Sequence, residues 1–433
     1  MLTKSKFYHK IPSPFALAIF LTFITYLLAV FITPIQSGLL EKSLDVIGYF
    51  GQGFWDLLKF AMQMVMILVL GSMIARTPIF SKIMKVLSTT IHSNTGAATM
   101  VALATIVTAY LNWGLGLIFG ALFAKYMSEQ LQQKGIKSNL ALLGAAGYAG
   151  MMIWHGGLSG SAPLKIAEQG HFLMEKTGVI SVNETLFSGM NITALVLILI
   201  VVPLYFYFMG RKHKSSEESL INEQLDEKDI QIATSKSLLS LVFGIFLLLA
   251  IGVLFFRNHQ SLNLNMVNLM LFVVAFLLYG NIEAFTKAAA ESVKSTTGII
   301  LQFPIYAGIM GMMQYSGLSM MMTDFFISIS TPQSFPIFTM ISAGIVNVFV
   351  PSGGGQWAVQ GPVIADAAQQ LEVPVSKAVM ALAYGDQLTN MIQPFWALPL
   401  LSITGLKAGQ ILRYSLPLML IGFVLFAVVL WWF

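Results

Sequence analysis

Asp386 is an acid inside an otherwise apolar stretch, and a carboxylate in that setting needs a proton or a cation to offset its cost. Close behind it come Gln387, Thr389, Asn390 and Gln393, whose amide and hydroxyl oxygens are of the kind that coordinate hard cations such as Na⁺. Equally, single amides in apolar helices can be ordinary interhelical hydrogen-bonding groups. His155 stands in the run Trp154-His155-Gly156-Gly157-Leu158-Ser159-Gly160-Ser161-Ala162-Pro163, where it could relay a proton, donate to a substrate, or be satisfied by local backbone. Ser159 and Ser161 add hydroxyls beside it. Two further runs break apolar sequence with glycine: Asn112-Trp113-Gly114-Leu115-Gly116 and Pro351-Ser352-Gly353-Gly354-Gly355-Gln356-Trp357. Successive glycine amides opening a helix form a nest for an anion, with the Ser352 hydroxyl beside it; the plainer alternative is a tight buried turn.

These residues sort into two expected sets. Asn112, Trp113, Gly114, His155, Ser159, Ser161, Ser352, Gly353, Gly354, Gly355, Gln356 and Trp357 are candidates to bind a small anion; Asp386, Gln387, Thr389, Asn390 and Gln393 are candidates for ion coupling. No catalytic residue, firm metal site or cofactor is expected beyond a bound Na⁺ at the second set. An intramembrane acyl-transfer enzyme using His155 as its base would need a nucleophile or metal cluster that the sequence does not offer. The absence of cysteine removes thiolate chemistry and disulfides.

The elements that must position these residues are membrane helices. Of 433 residues, 56% are hydrophobic and 10% charged, and the mean hydropathy is +0.77, far from a soluble domain. Spans are expected near 15–33, 57–75, 138–155, 187–209, 237–256, 264–280, 298–316, 376–393 and 411–433. Regions 96–131 and 336–371 each read as helix, glycine-rich turn, helix. The arm from Gly96 to Leu111 would rise only about 24 Å, less than a bilayer core, so re-entrant hairpins are expected with tips buried in protein. Further breaks are expected at 155–163 and 386–394, where glycine and proline interrupt the spans.

Net charge is +5, but the basic residues sit at segment ends and form no polar domain, which excludes nucleic acid as a partner. With the N-terminus cytoplasmic, basic residues concentrate on the inside and only Lys42, Lys59, Lys165, Lys176, Arg257 and Lys377 fall outside, as the positive-inside rule prefers. The C-terminus then lies in the periplasm. Shifting the second half back by 239 residues sets Gly353 on Gly114 and brings the flanking spans into register. The expected organisation is an all-α polytopic membrane protein built as an inverted repeat: 1–210 with a cytoplasmic-side hairpin, a linker and connecting helix at 211–256, and 257–433 with an outer-side hairpin.

The strings around Asn112, Trp154 and Pro351, the last continuing to Ala358-Val359-Gln360-Gly361-Pro362, resemble the short-chain fatty acid transporter family, the group that contains the bacterial acetoacetate and butyrate carrier. The likeness runs nearly end to end and is weakest over 211–236. It implies a bacterial inner-membrane secondary carrier that takes up monocarboxylates such as acetoacetate and butyrate by symport with H⁺ or Na⁺ through alternating access. It also implies distant kinship with the ion-transporter superfamily, whose elevator motion would favour a homodimer. The alternative substrate is another small organic anion such as a dicarboxylate, which the shortage of fixed positive charge near the site disfavours.

Overall fold

The computed structural model describes residues 14–34, 38–212, 237–349 and 352–433. Most of the expected linker, and Pro351 of the second tip, lie outside these described residues. The first run of helices is α1 (Pro14–Phe31), α2 (Leu39–Gly53), α3 (Leu58–Ala75), α4 (Pro78–Thr89), α5 (Asn94–Leu111), α6 (Trp113–Gln133), α7 (Leu140–Tyr148), α8 (Ser161–Ile166), α9 (Met174–Thr177) and α10 (Gly189–Lys212). The second is α11 (Leu238–Gly252), α12 (Leu264–Tyr279), α13 (Ile282–Val293), α14 (Thr297–Tyr315), α15 (Leu318–Ile329), α16 (Phe335–Phe349), α17 (Gly353–Gln370), α18 (Val375–Asn390), α19 (Pro394–Thr404) and α20 (Ala408–Trp432). No strand occurs among the described residues.

Among the described residues, five helices are long and apolar enough to cross a membrane: α3, α5, α10, α20, and α11 with the π-helical turn that extends it to Arg257. Apolar side chains on α11, including Leu238, Leu239, Phe246 and Leu249, lie exposed, which water would not tolerate over so long a face but lipid does. By contrast α3 is buried nearly all round, as expected of a helix apolar on every side at the centre of a bundle.

The element order repeats. Adding 239 to the ends of α3 gives 297 and 314, against 297 and 315 for α14; the same shift carries α4 onto α15, α5 onto α16, α6 onto α17 and α7 into α18. In both halves the first of these helices packs on the second arm of the hairpin, α3 on α6 and α14 on α17.

The structure departs from the sequence expectation in three ways. Helices α2, α4, α13, α15 and α19 were not among the expected spans. Three of them, α2, α4 and α13, are amphipathic, with charges such as Lys82, Lys85, Glu283 and Lys287 on one face, so averaged hydropathy hides them. Second, the tip glycines do not make the turns. The first hairpin breaks at the single residue Asn112, extended at φ −157°, whose Oδ1 accepts from the Leu115 amide at 2.7 Å. In the second, α17 starts after Ser352, also extended, whose Oγ accepts from the Gly355 amide at 3.2 Å. Capping side chains therefore start the second arm of each hairpin, and the glycines that follow are helical. They serve close approach: a methyl at Gly114 would meet the Cα of Leu68 at 3.1 Å, and one at Gly116 the Cα of Ala109 at 2.5 Å. Third, α18 runs unbroken through Asp386, and the interruption is confined to Met391–Gln393 ahead of Pro394.

Because backbone atoms of α5 block the space beside Gly116, Gly116→Ala should destabilise the detergent-solubilised protein by about 2 kcal/mol, an ordinary overpacking cost. Gly48→Ala, on α2 with nothing within 4 Å of the added methyl, should leave the melting temperature unchanged or raise it. Equal melting temperatures for Gly116→Ala and the parent would contradict this packing.

Candidate functional site

The break after α7 brings His155 to Asp386. Two 3₁₀ turns, Ala149–Met152 and Trp154–Gly156, lead into extended Gly157, and α8 starts at Ser161. His155 Nδ1 lies 2.6 Å from Asp386 Oδ2, with both side chains fully buried. On the other side of the ring, Nε2 accepts the Ala162 amide at 3.1 Å, and Ser161 Oγ lies at the same distance. A nitrogen that accepts a backbone N–H carries no proton, so in the neutral ring the proton sits on Nδ1 and is donated to Asp386. The other carboxylate oxygen, Asp386 Oδ1, is buried without a hydrogen-bond partner. Trp154 stacks on the imidazole at 4.3 Å and an interplanar angle of 13°.

Ser161, His155 and Asp386 thus stand in the order of a hydrolase's nucleophile, base and orienting acid. The Nε2 lone pair, however, is already engaged by the Ala162 amide and is not free to take the Ser161 proton.

The remaining residues expected to coordinate an ion have structural partners. Gln387 Oε1 accepts the amides of His155 and Gly156 at 3.1 and 3.3 Å. Asn347 on α16 directs its amide nitrogen at three oxygens of α18: Asp386 O, Thr389 Oγ1 and Asn390 Oδ1, at 2.8, 2.9 and 2.8 Å. Gln393 Nε2 donates to Asn347 O at 2.5 Å. Close packing of α16 on α18 requires Gly385, where a side chain would strike the Met340 carbonyl. No group of three His, Asp or Glu residues fit to hold a metal occurs among the described residues.

Beside the His155–Asp386 pair is a cavity of about 20 Å³, room for roughly one water. It lies between the hairpin tips. Trp113, Ser352, Gly353 and Gly354 come from the tips, and Trp154 and Ser161 from the first-half break. Gln302 and Phe303 on α14, with Met64, Met151, Ile299 and Trp396, complete it. The indole nitrogens of Trp113 and Trp154 are both buried without an acceptor. Among the described residues, no lysine or arginine lines it. Gly353 closes the cavity onto the relay: a methyl there would meet His155 Cε1 and Trp154 Cη2 at 2.7 Å and Asp386 Oδ2 at 2.9 Å.

Of the residues expected to bind substrate, Trp113, Ser161, Ser352, Gly353 and Gly354 line this cavity. Asn112 and Ser159 hold the first tip instead, Ser159 Oγ accepting the Trp113 amide at 2.9 Å and Asn112 Nδ2 donating to Ile67 O at 3.3 Å. Gly114 packs on α3, and Gly355 lies against Tyr306. Gln356 turns away to Ala343 O and Gln360 Oε1, at 2.7 and 2.8 Å, and Trp357 is buried near Phe172. Sequence reasoning assigned no role to Trp154, Gln302 or Asn347. The signal for the last two was a lone amide within an apolar helix.

Lys165, expected on the outer side of the membrane, is buried. One turn beyond Ser161 on α8, it is 4% exposed; its Nζ is 3.0 Å from Glu168 Oε2 and 5.2 Å from the Phe60 ring centre. Lys59, Gln63 and Asn265 also donate to the Glu168 carboxylate, tying α3 and α12 to the segment after α8.

A family model described as short chain fatty acid transporter matches residues 3–433. A protein of Escherichia coli (strain K12), provisionally named a short-chain fatty acid transporter, is 35% identical over 429 residues, covering 96% of this chain and 95% of the relative. Its counterpart in Haemophilus influenzae, with the same provisional name, is 36% identical over 439 residues, covering 95% and 96%. Among solved structures, the chain resembles Neisseria gonorrhoeae MtrF, described with a class of antimetabolite efflux pumps, at a TM-score of 0.60 and 17% identity, covering 97% of this chain and 95% of that one. It also resembles the Alcanivorax borkumensis transporter YdaH, described as having an unusual topology, at a TM-score of 0.59 and 12% identity, covering 97% and 98%. These two likenesses concern the fold. With the family model and both relatives matching nearly end to end, the chain belongs to the short-chain fatty acid transporter family and is a membrane transporter.

Proposed function

We propose that this protein is a secondary active carrier that takes short-chain monocarboxylates, acetoacetate and butyrate among them, across a bacterial inner membrane in symport with protons. The observation that carries the reading is the cavity between the hairpin tips. Two buried indole N–H groups without acceptors stand there beside a buried His–Asp pair with one bare carboxylate oxygen. A carboxylate accepts hydrogen bonds and donates none, so it complements Trp113 and Trp154, with Ser161, Ser352 and Gln302 alongside. Met64, Met151, Ile299 and Phe303 suit a short acyl chain.

Proton coupling is favoured over Na⁺ because the oxygens around α18 are already engaged by Asn347, whereas Asp386 Oδ1 has room in its bonding for a proton. A bound Na⁺ is the competing coupling ion. A cavity with room for one water admits substrate only when its walls part, which alternating access supplies. The repeated element order supports two inverted halves, 1–210 and 257–433 joined by 211–256, with re-entrant hairpins entering from opposite sides. The N-terminus is then cytoplasmic and the C-terminus periplasmic, and an elevator motion would suit a homodimer. A dicarboxylate fits less well, since no cation lines the cavity to meet its second charge. Nothing in this mechanism calls for an enzymatic step or a cofactor.

Radiolabelled butyrate uptake into proteoliposomes, with H⁺ and Na⁺ gradients imposed separately, tests the reading: accumulation is expected with the H⁺ gradient alone. Asp386→Asn should abolish that accumulation while leaving butyrate exchange at equilibrium; normal concentrative uptake would overturn the coupling role. Trp154→Phe, which keeps a stacking ring and removes the N–H, should weaken butyrate binding about tenfold, the scale of one hydrogen bond to a charged group. Unchanged affinity would remove Trp154 from the site.

A further inference from the structure

A second cavity, of about 400 Å³, adjoins the first and shares two residues with it, Trp113 and Trp396. Its rim is exposed, with Arg76, Glu291 and Ser402, and its floor is buried, with Ser72 and Leu117 beside Trp113. Trp113 and Trp396 meet edge to face there, with ring centres 5.3 Å apart and planes at 81°. The two walls differ in how they are held. Trp113 is the first residue of α6, its amide fixed by Ser159, and its helix is clamped against α3 and α5 by Gly114 and Gly116. Trp396 rides on α19, an 11-residue helix set off from α18 by the break at Met391–Gln393 and ended by Gly405 in the left-handed region, φ 70°. Interruptions at both ends let a short helix move as a unit, here by parting from α6 and α7, against which it packs.

We infer that the larger cavity is the vestibule through which the carboxylate reaches the binding cavity, and that Trp396 on α19 is the gate, closing against a fixed Trp113. This rests on the proposed reading of the inner cavity as the substrate site. The gate is aromatic and uncharged, and the rim carries one charge of each sign, so the route holds no net charge that would trap a monoanion on its way in or out. Withdrawal of Trp396 joins the two cavities and leaves the Trp113 indole in place to receive the substrate.

The natural lack of cysteine allows a direct test by thiol labelling of the full-length protein in liposomes with a small aqueous methanethiosulfonate. Met64→Cys reports on the inner cavity and Ser402→Cys on the vestibule. Ser402→Cys should react fast in every background. Met64→Cys should react slowly in the parent, about tenfold or more faster when Trp396→Ala is added, and slowly again with Trp396→Phe, as expected when a local opening limits reaction. An unchanged Met64→Cys rate in Trp396→Ala would overturn the gate, as would a parent rate equal to that of Ser402→Cys. So would the same acceleration in both Trp396→Ala and Trp396→Phe, which would mark general loosening. Labelling requires no transport, so failure of butyrate uptake alongside the expected labelling would overturn the substrate assignment while upholding the gate.

Discussion

A helix interrupted at membrane depth leaves backbone donors and acceptors that lipid cannot satisfy, and the arrangement around the site answers that constraint. Asn112 and Ser352 each supply a side-chain oxygen to the helix they start. Ser159 takes the Trp113 amide, Tyr110 O takes the Leu158 amide, and the Tyr148 hydroxyl donates to Asn390 O at 2.6 Å where α18 ends. Because neighbours must come near enough to bond, glycines cluster beside the breaks. The polar and small residues that look like a binding motif are thus, in large part, what makes a broken helix tolerable in lipid.

Several of these partners come from the opposite half. Asp386 of the second half holds His155 of the first, Tyr148 of the first holds the end of α18, and Gly353 at the second tip lies against Trp154 and His155. Separating the halves would expose a buried carboxylate and several backbone groups together, and such costs are large in a medium of low polarity. The site is therefore assembled only when both breaks are in register. Under the proposed proton coupling, a proton on Asp386 would remove the charge whose burial His155 offsets, so tip and proton would bias each other.

The places where the chain breaks were legible because glycine, proline and polar residues interrupt apolar runs, and those residues lie together in the fold. The role of each residue was not legible in the same way. In Asn112-Trp113-Gly114-Leu115-Gly116 the glycines suggested a turn, yet turn and helix-packing glycines look identical until the neighbouring Leu68 and Ala109 backbones are known. Thr389 and Asn390 read as cation ligands because Asn347, which engages their oxygens, lies in a separate apolar segment about forty residues away and forms no motif with them. Nor did the sequence point to the burial of Lys165, whose partner Glu168 is shared with Lys59 on a distant helix.

Lys165 also bears on the proposed anionic substrate, given a cavity that no described cation lines. It lies one turn from Ser161, its ammonium faces Phe60, and Phe60 touches Gly354 at the second tip, so a fixed positive charge stands one ring away from the cavity. Glu168 is shared between Lys165 and Lys59, so the cluster keeps one net positive charge, held behind Phe60 and outside the cavity lining. A bare ammonium at such a site would hold a carboxylate strongly in every conformation, and a carrier gains nothing from affinity that is equal in its loading and releasing states. Neutral indole and hydroxyl donors bind more weakly, and their geometry changes when a tip moves. Under the proposed symport, charge compensation would fall to a proton that travels with the substrate, which would allow release where the proton is lost.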